Sequence, residues 1–314
     1  MTNQITDTEA GTSLWKDSWL RMRKNRIAVA SIIVFSITCF FCFIVAWFCK
    51  DPNQVNLANK FSGPSSEHWI GTDALGRDLF SRILYGGQVS ILVGLIATTV
   101  SVTIGIIYGA LAGFFGGKID SIMMRVVDTL FSITFLMIVI VLQAVLSEWS
   151  RETSVWIVSN LSWEKGFTDR ITNVLPLFFA LGLLGWLTLA RIVRAQVMSL
   201  KEREFVEAAT SLGLTKLTVL FRHIIPNTLG PTVVYATLSV PGFIMYEATL
   251  SYLGLGVESP NSSWGILIKE GANYLETNSQ LLIFPGIIFS ITLFALNFLG
   301  DGLRDALDVR ASKD

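Results

Sequence analysis

Glu207-Ala208-Ala209-Thr210-Ser211-Leu212-Gly213, continuing to His223-Ile224-Ile225-Pro226-Asn227, is a short polar stretch set between two long apolar ones. Phe205, Ala208, Ala209 and Leu212 recur at i, i+3, i+4 and i+7, the spacing of one apolar stripe on a helix. Lys201, Glu202, Arg203, Glu204 and Glu207 make the remainder polar. Gly213 suits the left-handed position just past a helix end. Leu217, Leu220, Phe221 and Ile224 repeat the stripe, and Pro226 is expected to stop the second helix. Each arm is too short to be stable alone in water, so the stripes must dock on something. The candidates are the chain's own neighbouring helices and a soluble partner.

Working outward, the flanks are apolar on the scale of a bilayer. The 314 residues are 52% hydrophobic and 15% charged, against about 25% charged in soluble domains. Net charge is zero, so no basic field points to nucleic acid. The first apolar run, about Ile27 to Cys49, holds no charge and reaches roughly 34 Å as a helix, enough to cross a hydrocarbon core of ~30 Å. Five more runs follow, at about Val89–Phe114, Ile122–Leu146, Val174–Leu200, Leu229–Tyr246 and Leu281–Leu299. The fold class is therefore an all-α membrane protein with six transmembrane helices. Its expected layout is a polar N-terminal tail over 1–26, the first span over 27–49 and an external loop over 50–88. A five-helix core follows over 89–304, containing the polar hairpin at about 200–228, and a tail closes the chain at 305–314. Residues 1–13 read as a disordered tail, and the first apolar run is too long for a cleavable signal peptide.

With the N-terminus inside, about twice as many of the 24 Lys and Arg residues fall on the cytoplasmic side as outside, which places both termini and the hairpin in the cytoplasm. Ala97, Ser101, Gly105, Gly109 and Gly113 recur every four residues, a small-residue face that lets backbones approach in lipid. It fits packing within this chain and contact with a second membrane subunit equally well. Intramembrane charge is sparse: Arg125 and Asp128 are spaced to pair with each other, and Glu247 lies toward the outer end of the fifth span. No series of ionisable groups crosses the bilayer, which weakens an ion-coupled carrier.

Other chemistry finds no support. Cys39, Cys42 and Cys49 share one apolar run and read as packing residues, neither a disulfide framework nor a zinc site. His68 and His223 fall on opposite sides of the membrane, so neither metal ligation nor a catalytic triad can use both. Gly116-Gly117-Lys118 is followed by Ile119, and Ala112 occupies the position of the first P-loop glycine, so this chain is not expected to bind ATP.

The hairpin resembles the EAA motif of binding-protein-dependent ABC transporter permeases: Glu207-Ala208-Ala209, then Gly213, then an Ile-x-Pro-like end at Pro226. The likeness continues through Pro64-Ser65, His68, Gly71-Thr72-Asp73-Ala74-Leu75-Gly76-Arg77-Asp78, Ser81-Arg82 and Tyr85-Gly86. It extends through Gly113-Phe114-Phe115-Gly116-Gly117 with Asp120, Met124-Arg125 and Asp128, and through Ala190-Arg191 with Arg194. Glu247 with Leu250-Ser251-Tyr252-Leu253-Gly254-Leu255-Gly256, then Trp264-Gly265 and Gly300-Asp301-Gly302-Leu303-Arg304-Asp305 complete it. This ordered set resembles the dipeptide/oligopeptide/nickel branch, specifically the "C" permease that pairs with a related "B" permease. Departures are Ser132-Ile133-Thr134 where the family often carries a proline, which puts a helix kink there in doubt, and Val309 where proline is common. The connection at 147–173 also looks long, with Trp149, Trp156 and Trp163 at intervals of seven, an interfacial aromatic face or a contact to a binding protein.

The resemblance implies a type I importer permease: a non-catalytic, multi-pass subunit of the plasma (inner) membrane, moving di- or oligopeptides. Its implied partners are a sister permease, two cytoplasmic ATPase subunits that carry the ATP and magnesium, an extracytoplasmic substrate-binding protein and the lipid bilayer. It implies no cofactor in this chain, and Glu207, Ala208, Ala209, Gly213 and Pro226 as the residues that couple to the ATPase. The external signature residues are Gly71, Asp73, Gly76, Arg77 and Asp78; Asp73, Arg77, Asp78 and Arg82 are expected to pair locally and fix the loop, with contact of Arg77 or Asp78 to the binding protein or to a peptide terminus as the alternative. Alternatives for the whole chain are a nickel, glutathione or antimicrobial-peptide importer of the same branch, an ATP-independent carrier, and a membrane anchor without transport.

Overall fold

A computed structural model describes residues 14–161, 168, 172–257 and 261–307. The described residues are helical apart from turns, loops and one isolated antiparallel bridge between Thr72 and Asp78. Helix α1 spans Leu14–Lys24 and α2 Arg26–Phe43, the latter capped by the Asn25 side chain, which accepts from the Ile27 and Ala28 amides. Then come α3 (Leu79–Phe115), α4 (Gly117–Ser132), α5 (Phe135–Leu161) and α6 (Leu175–Lys201). The polar region gives α7 (Glu204–Ser211) and α8 (Lys216–Val219), followed by α9 (Ile225–Leu253), α10 (Trp264–Ala272) and α11 (Gln280–Leu307). Five helical segments are long and apolar enough to cross a membrane, and a sixth crossing is made if α4 and α5 count as one bent span.

Four features differ from the sequence reading. Residues 14–24, within the expected polar tail, form α1, which packs on the end of α11 by burying Met22 with Ala28 and Ala306. The second span starts at Leu79, where Asp78 caps it through the Ser81 amide, so the loop after the first span ends ten residues earlier than expected. The third span is not one straight helix: α4 and α5 meet at 94° across Ile133 and Thr134. The bend is made without proline, by an extended Ile133 and a Ser132 hydroxyl that turns back to the Thr129 carbonyl. Finally, α5 runs on to Leu161, so Trp149 and Trp156 stand exposed on a helix. Trp163, the tail at 1–13 and Val309 lie outside the described residues.

The small-residue stripe of α3 is settled as packing within the chain. Helices α3 and α6 form the most extensive helix pair, and Ala97, Ser101, Gly105, Gly109 and Gly113 are all buried. A Cβ added at Gly105 would stand 2.8 Å from Leu189 Cβ, and one at Gly113 2.7 Å from the Arg194 carbonyl oxygen. Ser101 donates to the Gly182 carbonyl at 3.0 Å. Backbones this close give the dispersion contact that holds helices together where lipid removes the hydrophobic drive. Asp120 takes both Arg194 Nε and Nη2 at 2.5 Å, tying α4 to α6. Asp128 pairs with Arg191 at 2.6 Å and not with Arg125, a correction to the local pairing expected from spacing. A partner 63 residues away competes successfully because α6 brings it to the same surface. All three cysteines are free, with Cys42 buried and the others half-buried.

Candidate functional site: an exposed hairpin and a locked loop at opposite ends of one helix

The hairpin is built on α9. Its second arm is no separate helix: α8, a π turn over Leu220–Ile224 and α9 run on as one apolar segment, Lys216–Leu253. Pro226 therefore does not stop a helix but sits in the first turn of α9. The π turn explains its tolerance. Ile225 N–H reaches back to the Leu220 carbonyl, and a helix start needs no amide from the next residue.

The two stripes divide into an inner and an outer set. Val206, Ala209, Val219, Leu220 and Ile224 are buried with Phe114, Val193 and Val197 of α3 and α6. Phe205, Leu212, Leu217 and Phe221 are exposed, Leu212 at 83%. Glu207, Ala208, Gly213 and Pro226 also lie on the outside, while Ala209 faces in. Gly213 has φ +82. Its amide bonds the Thr210 carbonyl at 3.0 Å and that of Leu214 the Ala209 carbonyl at 3.3 Å, a helix-ending pattern that needs the left-handed residue. Open space surrounds it, so an added side chain is opposed by the backbone angle alone. The result is an apolar ridge with a polar rim at one end of the bundle, held from beneath.

At the other end of α9 the polar residues are enclosed. Asp73 accepts from the Leu75 and Arg77 amides, from Arg77 Nε at 2.7 Å and from Arg82 Nη1 at 2.7 Å. Glu270 of α10 completes the cluster, taking Arg82 Nη1 at 2.5 Å and Arg77 Nη2 at 3.4 Å. Burial disfavours the Asp73 carboxylate, but the Arg77 amide and the two guanidinium groups outweigh it and hold its pKa below the usual carboxylate value. Asp78 serves a different set: Ser81 at the α3 start and His68 Nδ1 at 2.9 Å. The expected local pairing thus holds for Asp73, Arg77 and Arg82, with Asp78 bound to His68 instead. Gly71 and Gly76 have positive φ, and a Cβ at Gly76 would strike the Asn56 carbonyl. Glu270 and α10 itself went unnoticed in the sequence; the available signal was Ser263, which caps α10 by accepting from the Ile266 amide.

Between the ends lies a cavity of about 380 Å³ whose lining includes Phe131, Leu184, Thr188, Tyr235, Phe243 and Tyr246, from α4, α6 and α9. Sequence reasoning assigned none of them, because a surface assembled from four helices, with Phe135 and Ile138 of α5 completing it, has no local signature. Its lining is largely apolar with a few hydroxyls.

Comparison with known proteins agrees with this geometry. Residues 101–313 match the binding-protein-dependent transport system inner membrane component, and residues 13–64 the N-terminal transmembrane domain of oligopeptide transport permease C. The oligopeptide transport system permease protein OppC of Haemophilus influenzae is 43% identical over 304 residues, 95% of this chain and 89% of that protein. Its namesake in Escherichia coli is 42% identical over 301 residues, covering 95% and 92%. The dipeptide transport system permease protein DppC of Bacillus subtilis is 36% identical over 299 residues, covering 94% and 86%. With a bundle of membrane-spanning length, an outward-facing EAA hairpin and this likeness along nearly its whole length, the chain belongs to the inner membrane permeases of binding-protein-dependent transport systems.

Proposed function

We propose that this chain is one of two permeases of an ATP-driven importer of di- or oligopeptides, and that its hairpin seats in a groove of a cytoplasmic ATPase subunit. The observation that carries the reading is the outward ridge of Phe205, Leu212, Leu217 and Phe221, apolar side chains left uncovered beside Glu207 and Gly213. Exposed apolar surface rimmed by charge is the mark of a protein contact. Both termini and the hairpin then face the cytoplasm, in accord with the Lys and Arg distribution. The locked loop over 50–78 and α10 face the binding protein, and the cavity beside Tyr235 and Tyr246 forms half of the translocation path, closed by the sister permease. ATP and magnesium act on the ATPase subunits; this chain contributes binding and movement, not hydrolysis. The relatives named for oligopeptide and dipeptide transport favour peptides over nickel.

The test is uptake by the complete transporter in cells that lack other peptide importers. Labelled oligopeptide should enter and nickel should not, and removal of the binding protein should stop entry. Nickel uptake without peptide uptake would move the chain to the alternative within its branch.

A further inference from the structure

Glu247 is a buried carboxyl that the proposed transport step does not use. It lies on α9 with 0% exposure. Its Oε2 accepts from the Ser90 hydroxyl of α3 at 2.9 Å and its Oε1 from the Ser251 hydroxyl of α9 at 2.7 Å. The same Ser90 oxygen accepts the backbone N–H of Trp264, the first residue of α10, at 3.2 Å. The Trp264 indole N–H in turn donates to the Ile83 carbonyl of α3 at 3.1 Å. One carboxyl therefore joins α3 and α9 and, through Ser90, the start of α10.

The backbones around it are as tightly fitted as the polar groups. A Cβ at Gly265 would lie 2.6 Å from Ala248 Cα on α9, and one at Gly87 2.7 Å from the Trp264 ring. At its far end α10 is held by Glu270 to Arg82 and Arg77. Helix α10, nine residues long, is thus clamped at both ends, once to the locked loop and once to α9. From Glu247, α9 runs as one helix, through Pro241 and Pro231, to Ile225 and the π turn beneath the hairpin, roughly 33 Å at helical rise.

We propose that Glu247 is a positioning residue that fixes α10 to α9, so that a binding protein seated on α10 and the 50–78 loop acts on the hairpin through α9. This rests on the binding-protein-dependent reading above. Close-packed joints shift between discrete arrangements rather than stretch, and a fully satisfied buried polar group gives such a joint one geometry. Loosening it should spare the hairpin and the ATPase contact while uncoupling them from the other end.

The experiment uses the whole transporter, both permeases and both ATPase subunits, in lipid nanodiscs, with substrate-loaded binding protein titrated in. ATP hydrolysis is measured with and without that protein for wild type, Glu247→Ala, Glu247→Gln and Ser90→Ala. Glu247→Ala should leave basal hydrolysis within roughly twofold and cut the stimulated-to-basal ratio by about fivefold or more. Glu247→Gln, which fills the same space and can bond both hydroxyls, should keep the ratio. A Glu247→Ala complex assembled normally and stimulated like wild type overturns the proposal. If Glu247→Ala does not assemble, Ser90→Ala decides: a lowered ratio supports the relay and an unchanged one overturns it. A wild-type complex that ignores the binding protein overturns the proposed function, and the relay with it.

Discussion

The two ends of α9 are built on opposite principles. At the hairpin end, apolar side chains face outward, and Glu207, Arg203 and Lys216 make no ion pair among the described residues. At the other end, Asp73, Arg77, Arg82 and Glu270 bind one another, His68 and Asp78 pair, and Trp264 is wholly enclosed. The same helix thus carries one surface left incomplete and one closed on itself. Exposed apolar surface is unfavourable in water and a partner that covers it restores the balance, while the hydrated charges beside it help set which partner fits. Internally satisfied charges fix one shape. The contrast leaves the first end incomplete without a partner and makes the second a rigid platform.

The largest effect that would break this contrast is at the hairpin. Gly213→Asp puts a side chain and a negative charge on a turn at φ +82, and Ala208→Arg puts a long cation on the exposed face. Both should abolish peptide uptake while the permease stays in the membrane at normal amount, measured by uptake and immunoblot together. Normal uptake with normal ATPase association would remove the hairpin from coupling. At the locked end the expected loss is of stability instead. Asp73→Ala leaves the Arg82 guanidinium, 4% exposed as a side chain, with Glu270 as its remaining carboxylate and takes away the acceptor of the Leu75 and Arg77 amides; it should lower stability by about 2 kcal/mol in thermal unfolding of the solubilised protein. Arg77→Ala should cost less, about 1 kcal/mol, because Arg82 still holds Asp73 and Glu270. Binding-protein docking should be unchanged in that variant, because the rest of the platform keeps its shape; lost docking in a well-folded protein would make the Arg77 side chain itself a contact.

The smallest effect is on pH. The Asp73 pKa is lowered in the folded protein from the free value of 3.8. Its contribution is therefore complete above that value and is lost as pH falls through the lower folded value. Thermal stability followed down to about pH 3 should show this loss in wild type and not in Asp73→Asn; equal acid sensitivity in both would exclude the carboxylate as its source.

Much of this contrast was legible in the sequence at the hairpin and little at the other end. The stripes, Gly213 and the apolar runs are local patterns, and local patterns survive folding. Their division was not legible: Ala209 and Leu220 face in while Ala208 and Phe221 face out, because the helices beneath decide which part of a stripe is covered. Asp128 chose Arg191 over its neighbour Arg125, and Glu270 reached Arg82 from 188 residues away. Spacing rules count along one helix and cannot rank such partners. The bend after Ser132 was doubted for want of a proline, yet it arises from an extended Ile133 whose environment is tertiary. Pro226 misled in the opposite sense, because the π turn before it has no sequence signature in a single chain.

The central claim, that the exposed ridge is where the ATPase sits, is tested most directly at Leu212, 83% exposed at the tip of the hairpin. A photoreactive phenylalanine analogue placed there, in the assembled transporter in its native membrane, should crosslink to an ATPase subunit on illumination. The same analogue at Leu57, 67% exposed in the loop at the other end, should not. An ATPase adduct from Leu57 as strong as that from Leu212, or none from Leu212 in an active complex, would contradict the account.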